Sequence, residues 1–252
     1  PSPSIQIRNP ARRSDVVGTA ACADAWQIEA ALAAAAGAAA GWAATPAALR
    51  ALCLERAAQA LEARSHALVA LLVREAGKTF AAGLGEVREA VDFCRYYAAR
   101  LRAGDLAGSV PLGPVVAISP WNFPLAIFCG QIVAALAAGN PVIAKPAEQT
   151  PLIADQVVAL LHEAGIPRPV LQCLPGAGAT IGAALVADQR VAAVMFTGST
   201  AVATAIHRVL AARGDVPLIA ETGGLNAMIV DSTALPEQVV GDVIEIGRAS
   251  CR

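Results

Sequence analysis

The chain has 252 residues, a net charge of −1, and 56% hydrophobic but only 4% aromatic residues. That length holds one large domain, or one and a half ordinary ones, around a sizeable core. The balanced charge argues against a nucleic-acid or anionic-membrane partner, and the scarcity of aromatics argues against a stacking platform for single strands.

Taken in chain order, Pro1-Ser2-Pro3-Ser4 lacks the basic-then-apolar layout of a signal peptide. With no initiator methionine there, the chain is expected to begin inside a longer protein. Ile5 and Ile7, the Asn9-Pro10 pair and Val16-Val17-Gly18 predict two short strands around a turn. From Asp24 to about Ala103 the pattern is helical, with Leu61, Leu68, Leu71 and Leu72 recurring near a 3.6-residue period. Thr45-Pro46 predicts an N-cap followed by proline in the first helical turn. Gly77 and Gly83 are expected to break the helical run, with a separate helix over Glu86–Leu101. The Ala-rich run from Ala30 to Ala44 is too short, and too interrupted by glycine, for a membrane span of ~18 residues or more.

After Pro111 short apolar runs alternate with helical stretches. Val115–Ile118, Val142–Ala144, Val170–Leu174, Ala193–Phe196 and Leu218–Ala220 read as strands, each followed by a helix or loop. The alternation predicts an α/β fold: a doubly wound parallel sheet with helices on both faces. Ligands bind beyond the carboxyl ends of such strands, where every motif-like segment of this chain falls.

The six cysteines, Cys22, Cys53, Cys94, Cys129, Cys173 and Cys251, form no C-x-x-C pair, and the three histidines lie far apart. Neither a zinc site nor a disulfide framework is expected, and a reduced cytoplasmic setting is the expectation.

Five strand-end segments can carry chemistry. Pro175–Gly182 (PGAGATIG) is a glycine turn before a helix, either a close approach to a pyrophosphate or a tight turn without function. Phe196-Thr197-Gly198-Ser199-Thr200 places hydroxyls at a helix start, where they either hold phosphate or simply cap. Lys145-Pro146-Ala147-Glu148 sets a cation and a carboxylate at a strand end. The carboxylate either accepts from ribose hydroxyls, favouring a cofactor without a 2′-phosphate, or belongs to a solvated pair. Ser119-Pro120-Trp121-Asn122-Phe123-Pro124 holds an amide on a stiff, aromatic-walled loop, either as an oxyanion donor or satisfying its own turn. Glu221-Thr222-Gly223-Gly224 presents a carboxylate that serves as a general base if partly buried, or as a surface glutamate if not.

In combination, SPWNFP, GNPVIAKPAEQTP, PGAGATIG, FTGST and AETGG resemble the aldehyde dehydrogenase superfamily over about Ile5 to Asp242. LVREAGKT at Leu72–Thr79, EVREAVDFCRYY at Glu86–Tyr97 and ETGGLNAMIVD at Glu221–Asp231 are similar to its L-glutamate γ-semialdehyde dehydrogenase branch, as found in bifunctional bacterial proline-utilisation proteins.

The resemblance implies a Rossmann-like NAD-binding domain. Residues 1–110 would be its N-terminal strands and helices, 111–224 its core, and 225–244 the truncated start of a catalytic domain. It implies NAD as cofactor, a flavin in a separate domain of the parent, and a small aldehyde substrate. The parent is expected to be a homo-oligomer that neither spans a membrane nor binds nucleic acid through this region. Asn122 would donate to the developing oxyanion, and Glu221 would activate the hydrolytic water. Ser119, Pro120, Trp121, Lys145, Glu148, Gly178, Phe196, Gly198, Ser199, Thr222 and Gly223 would line the cofactor site, with Trp121 and Phe123 walling the channel. The family nucleophile is a cysteine that attacks the aldehyde and leaves a thioester for water to cleave. It is expected beyond Arg252. Residues 245–252 read EIGRASCR, the translation of a common sequencing adapter, so they are expected to be non-native and Cys251 not to be the nucleophile. Two other readings stand beside this one: an enzyme for a different aldehyde such as succinic semialdehyde, and a catalytically silent NAD-binding module.

Overall fold

The computed structural model describes residues 4–249; Cys251, with the end of the expected non-native tail, lies outside the described residues. Strands β1 (Ser4–Asn9) and β2 (Arg12–Ala21) pair antiparallel, as the alternation predicts. Four helices follow: α1 (Ala25–Ala44), α2 (Ala47–Ala63), α3 (Ser65–Ala76) and α4 (Phe80–Ala103). Asp24 starts α1 with a capping box, accepting from the Gln27 N–H at 2.9 Å while Gln27 Oε1 accepts from the Asp24 N–H at 3.0 Å.

Two local expectations need correction. Thr45 does not cap α2; Pro46 holds the cap position, and the Thr45 hydroxyl donates back to the Gly41 carbonyl of α1 at 3.0 Å. Gly77 does end α3 in the left-handed conformation, φ 67°, but Gly83 lies inside α4 rather than breaking it. A Cβ there would come within 3.3 Å of Val69 Cγ1, so this glycine serves close packing of α3 against α4.

The central sheet has five parallel strands: β3 (Val115–Ile118), β4 (Val142–Lys145), β5 (Leu171–Cys173), β6 (Ala193–Gly198) and β7 (Leu218–Thr222), in the order β5-β4-β3-β6-β7. The connections are α5 (Ala126–Ala137), α6 (Pro151–Glu163), a π-helical turn at Gly178–Gly182 running into α7 (Ala183–Ala187), and α8 (Thr200–Ala211). A last helix, α9, spans Pro236–Ala249.

Alternate strand residues enter two separate cores, which is why each strand reads as a continuous apolar run. Val115, Ala117, Val142 and Ala144 pack with Leu54, Leu72, Phe128, Ile132 and Ile153 of α2, α3, α5 and α6. Val116, Ile143, Val194 and Phe196 pack with Leu32, Leu185, Ile206 and Leu210 of α1, α7 and α8. Each such large side chain contributes roughly 1.5–3 kcal/mol by leaving water. The helices after β3 and β4 cover one face, and those after β5 and β6 cover the other. The chain therefore reverses direction of travel at the β3–β6 boundary, where a doubly wound sheet opens a crevice. Among the described residues, no single helix is long and apolar enough to cross a membrane.

Candidate active site

At the crevice, the carboxyl ends of β3 and β6 are bridged by one side chain. Gln131, on α5, accepts from the Ser119 hydroxyl at 3.0 Å and donates to the Thr197 hydroxyl at 2.9 Å. The Ser119 backbone N–H donates to the Lys145 carbonyl at 3.2 Å, tying in the end of β4. Ser119 is buried, and its hydroxyl is committed inside the protein. Its expected place in the cofactor site is thus as a strut beneath the surface.

Beyond Ser119 the Pro120–Pro124 turn leads into α5. Buried Glu86, on α4, accepts the backbone N–H groups of Leu125 at 3.1 Å and Ala126 at 3.3 Å with Oε2. Its Oε1 is ion-paired with Lys78 Nζ at 2.7 Å. The same Nζ lies 4.2 Å from the centroid of the Phe123 ring. A carboxylate at a helix N-terminus satisfies otherwise orphaned donors and complements the helix dipole.

A cavity of about 820 Å³ opens beside this loop, within the range of small-molecule sites. It brings together Pro120, Asn122, Phe196, Gly198, Ser199, Glu221, Thr222 and Gly223 of the sequence-derived set. Phe123 also lines it, whereas Ser119, Trp121, Lys145, Glu148 and Gly178 do not. Trp121 is 39% exposed. Asn122 and Glu221 thus border one space from opposite sides of the crevice.

Of the two environments the sequence left open for Glu221, the structure gives the exposed one. In the parallel register Glu221 sits opposite Thr197, and Ile219 opposite Met195, so all share one face of the sheet. Helices α5 and α6 cover that face over β3, β4 and β5. β7 is the sheet edge, and Ile219 remains 56% exposed there.

A second group gathers at the ends of β4 and β5. Glu148 Oε1 accepts the Gly178 backbone N–H at 2.7 Å, joining the Lys145–Glu148 segment to the glycine turn. Lys145 is buried and its Nζ donates to the Pro146 carbonyl at 3.0 Å. Burial pushes its ammonium below the usual lysine range, partly offset by the Glu148 carboxylate. Across the crevice Ser199 caps α8, accepting the Val202 N–H at 3.3 Å.

This donor set fits a dinucleotide. Glu148 is an exposed carboxylate suited to a ribose diol, α8 turns its N-terminal N–H groups to the crevice, and Lys145 supplies a cation. Gly223 is exposed, and a Cβ added there would meet no atom within 4 Å, so the backbone at that point is open to approach.

Sequence reasoning gave no role to Gln131, Lys78 and Glu86, nor to Phe93 and Tyr97, which line the cavity from α4. Gln131 had a signal, being the lone amide in the apolar stretch Ala126–Ala137. Phe93 had none, because its ring rests on α5 only where Gly130 lacks a side chain; a Cβ there would meet the ring at 2.9 Å.

Known proteins match along nearly the whole chain. The family model described as "Aldehyde dehydrogenase family" covers residues 1–247. The bifunctional protein PutA of Escherichia coli is 59% identical over 245 residues, covering 94% of this chain and 18% of its own length. The 1-pyrroline-5-carboxylate dehydrogenase of Anoxybacillus flavithermus is 41% identical, covering 90% of this chain and 47% of its own. Among solved structures, 1-pyrroline-5-carboxylate dehydrogenase from Thermus with bound NAD superposes with a TM-score of 0.91 at 37% identity, over 99% of this chain and 52% of its own. The chain therefore spans about a fifth to a half of the length of these relatives.

Proposed function

The chain belongs to the aldehyde dehydrogenase family, and from that premise we propose that it serves the NAD-dependent oxidation of L-glutamate γ-semialdehyde to glutamate. The observation that carries the reading is the single cavity bordered by the Asn122 amide and the Glu221 carboxylate, at the point where the sheet reverses. The similarity to PutA and to 1-pyrroline-5-carboxylate dehydrogenases favours this aldehyde over succinic semialdehyde.

In this reading Asn122 donates to the aldehyde oxygen as negative charge develops on it. Glu221, open to solvent, accepts a proton from the water that cleaves the acyl intermediate. Glu148 takes the adenosine ribose diol, Lys145 lies beside it, and Gly178 keeps the backbone close. Ser199 and the start of α8 face the pyrophosphate. Phe196, Gly198, Thr222 and Gly223 line the nicotinamide side. NAD, when bound, supplies the hydride acceptor. The thiol nucleophile is not among the described cysteines, since none of Cys22, Cys53, Cys94, Cys129 and Cys173 lines the cavity.

Equilibrium titration with NAD and NADP tests the cofactor. NAD is expected to bind at one site and more tightly than NADP, because Glu148 repels a 2′-phosphate, and Glu148→Ser is expected to narrow the gap. Equal binding of both cofactors, or of neither, would overturn the assignment. In an enzyme carrying this chain together with a nucleophilic thiol, turnover of L-glutamate γ-semialdehyde is expected to exceed that of succinic semialdehyde; the reverse order would move the substrate assignment.

A further inference from the structure

Two charged side chains outside the cavity grip the Pro120–Pro124 loop on both flanks of Pro124. On one flank Lys78 Nζ sits 4.2 Å from the Phe123 ring centroid. On the other, Glu86 Oε2 accepts the N–H groups of Leu125 and Ala126 at 3.1 and 3.3 Å. Lys78 and Glu86 hold each other at 2.7 Å, with their side chains 12% and 1% exposed. A pair so shielded is not the loose surface ion pair that contributes little. Removing one partner would leave an uncompensated buried charge.

We propose that Lys78 and Glu86 are positioning residues for Asn122: the pair fixes the loop so that the Asn122 amide faces the cavity. The proposal rests on the reading of Asn122 as the donor to the developing oxyanion. The chemistry asks for such a device. An amide donor stabilises a transition state only if it is aimed beforehand, and a misplacement of about 1 Å costs on the order of a hundredfold in rate. The turn carries Asn122 between a proline-flanked start and α5. Pro120 and Pro124 restrict φ but contribute no N–H to anchor it. The Phe123 carbonyl accepts the Ile127 N–H at 3.3 Å, and Lys78 and Glu86 add anchors from outside the loop. Glu86 fixes where α5 begins, and the Lys78 ammonium holds the ring next to Asn122 by attraction to its π face. Both residues come from the α3–α4 region, whose apolar side chains pack into the same core as α5 and α6.

The test uses the Asn122 side-chain amide as a spectroscopic reporter in the isotope-labelled chain, with hydrogen exchange at Leu125 and Ala126 as a second readout. Lys78→Met breaks the pair. The double change Lys78→Met with Glu86→Gln removes both charges together, so no buried charge is left alone if the single variant folds poorly. In the double variant the Asn122 amide signals are expected to shift and broaden, and exchange at Leu125 and Ala126 to rise roughly tenfold. The Gly178 signal, near Glu148, is expected to stay in place. Lys78→Arg, which keeps the cation, is expected to restore the Asn122 signals. Asn122 signals unchanged in the double variant, or moved equally in Lys78→Arg, would overturn the proposal. If the unsubstituted chain binds no NAD, the proposed function fails, while the Asn122 readout still decides this inference.

Discussion

Glu75 is a buried carboxylate that accepts the N–H groups of Leu152 at 2.7 Å and Ile153 at 2.8 Å, at the start of α6. Burial pushes its carboxyl up to about 7, against the pull of the two hydrogen bonds. The folded value thus lies above the ordinary one of 4.5, and folding takes up a proton. Its contribution to stability is fully present below about pH 4.5 and is lost as pH rises through about 7. The loss reaches an upper figure of about 3 kcal/mol at higher pH. Denaturant unfolding at pH 5 and at pH 8 is expected to show a slope that Glu75→Gln flattens; an unchanged slope would remove Glu75 as its source. A second residue carries a packing prediction. A Cβ on Gly198 would come within 2.6 Å of Phe196 Cζ, so Gly198→Ala must displace a ring that both fills a core and lines the cavity. Thermal denaturation is expected to register a destabilisation of roughly 1–3 kcal/mol, with NAD binding weakened alongside it.

At the scale of elements, α5 is the helix that joins fold to site. One end is anchored by Glu86, its apolar side chains pack beneath the sheet, and Gln131 ties β3 to β6. Gln131→Leu keeps the bulk but strips partners from the Ser119 and Thr197 hydroxyls. It is expected to cost about 1–3 kcal/mol in chemical denaturation; a neutral result would mean that those hydroxyls find other partners. The elements themselves were largely legible. Val115–Ile118 and Val142–Lys145 are buried on both faces, so an unbroken apolar run was the right signal. At Thr45-Pro46 the boundary was legible and only the cap residue was displaced by one position. Local rules assign glycine to boundaries, whereas Gly83 answers to a neighbour, Val69, that lies on another helix. Whether Glu221 is buried or exposed was left open by the sequence, because burial depends on what covers β7, which no local pattern states.

On the scale of the whole molecule, the strand-end motifs named most of the site because their residue types carry chemistry in themselves. The residues that hold the motifs in place did not announce themselves: Lys78, between α3 and α4, and Glu86, on α4, look like ordinary charges until packing brings them to Phe123 and Leu125. Beyond β7 the chain presents apolar surface, with Leu225 106%, Ile229 91% and Val240 57% exposed. Large apolar side chains left exposed in such number favour a partner surface. The isolated chain is therefore expected to bind an apolar dye and to self-associate with rising concentration, as light scattering would report; a monodisperse, dye-silent chain would contradict that. The most direct test of the central claim is a crystal structure of the chain with NAD. The account predicts the adenosine ribose at Glu148, the pyrophosphate at the start of α8, and the nicotinamide in the cavity between Asn122 and Glu221. A dinucleotide bound elsewhere, or with its nicotinamide end outside that cavity, would contradict it.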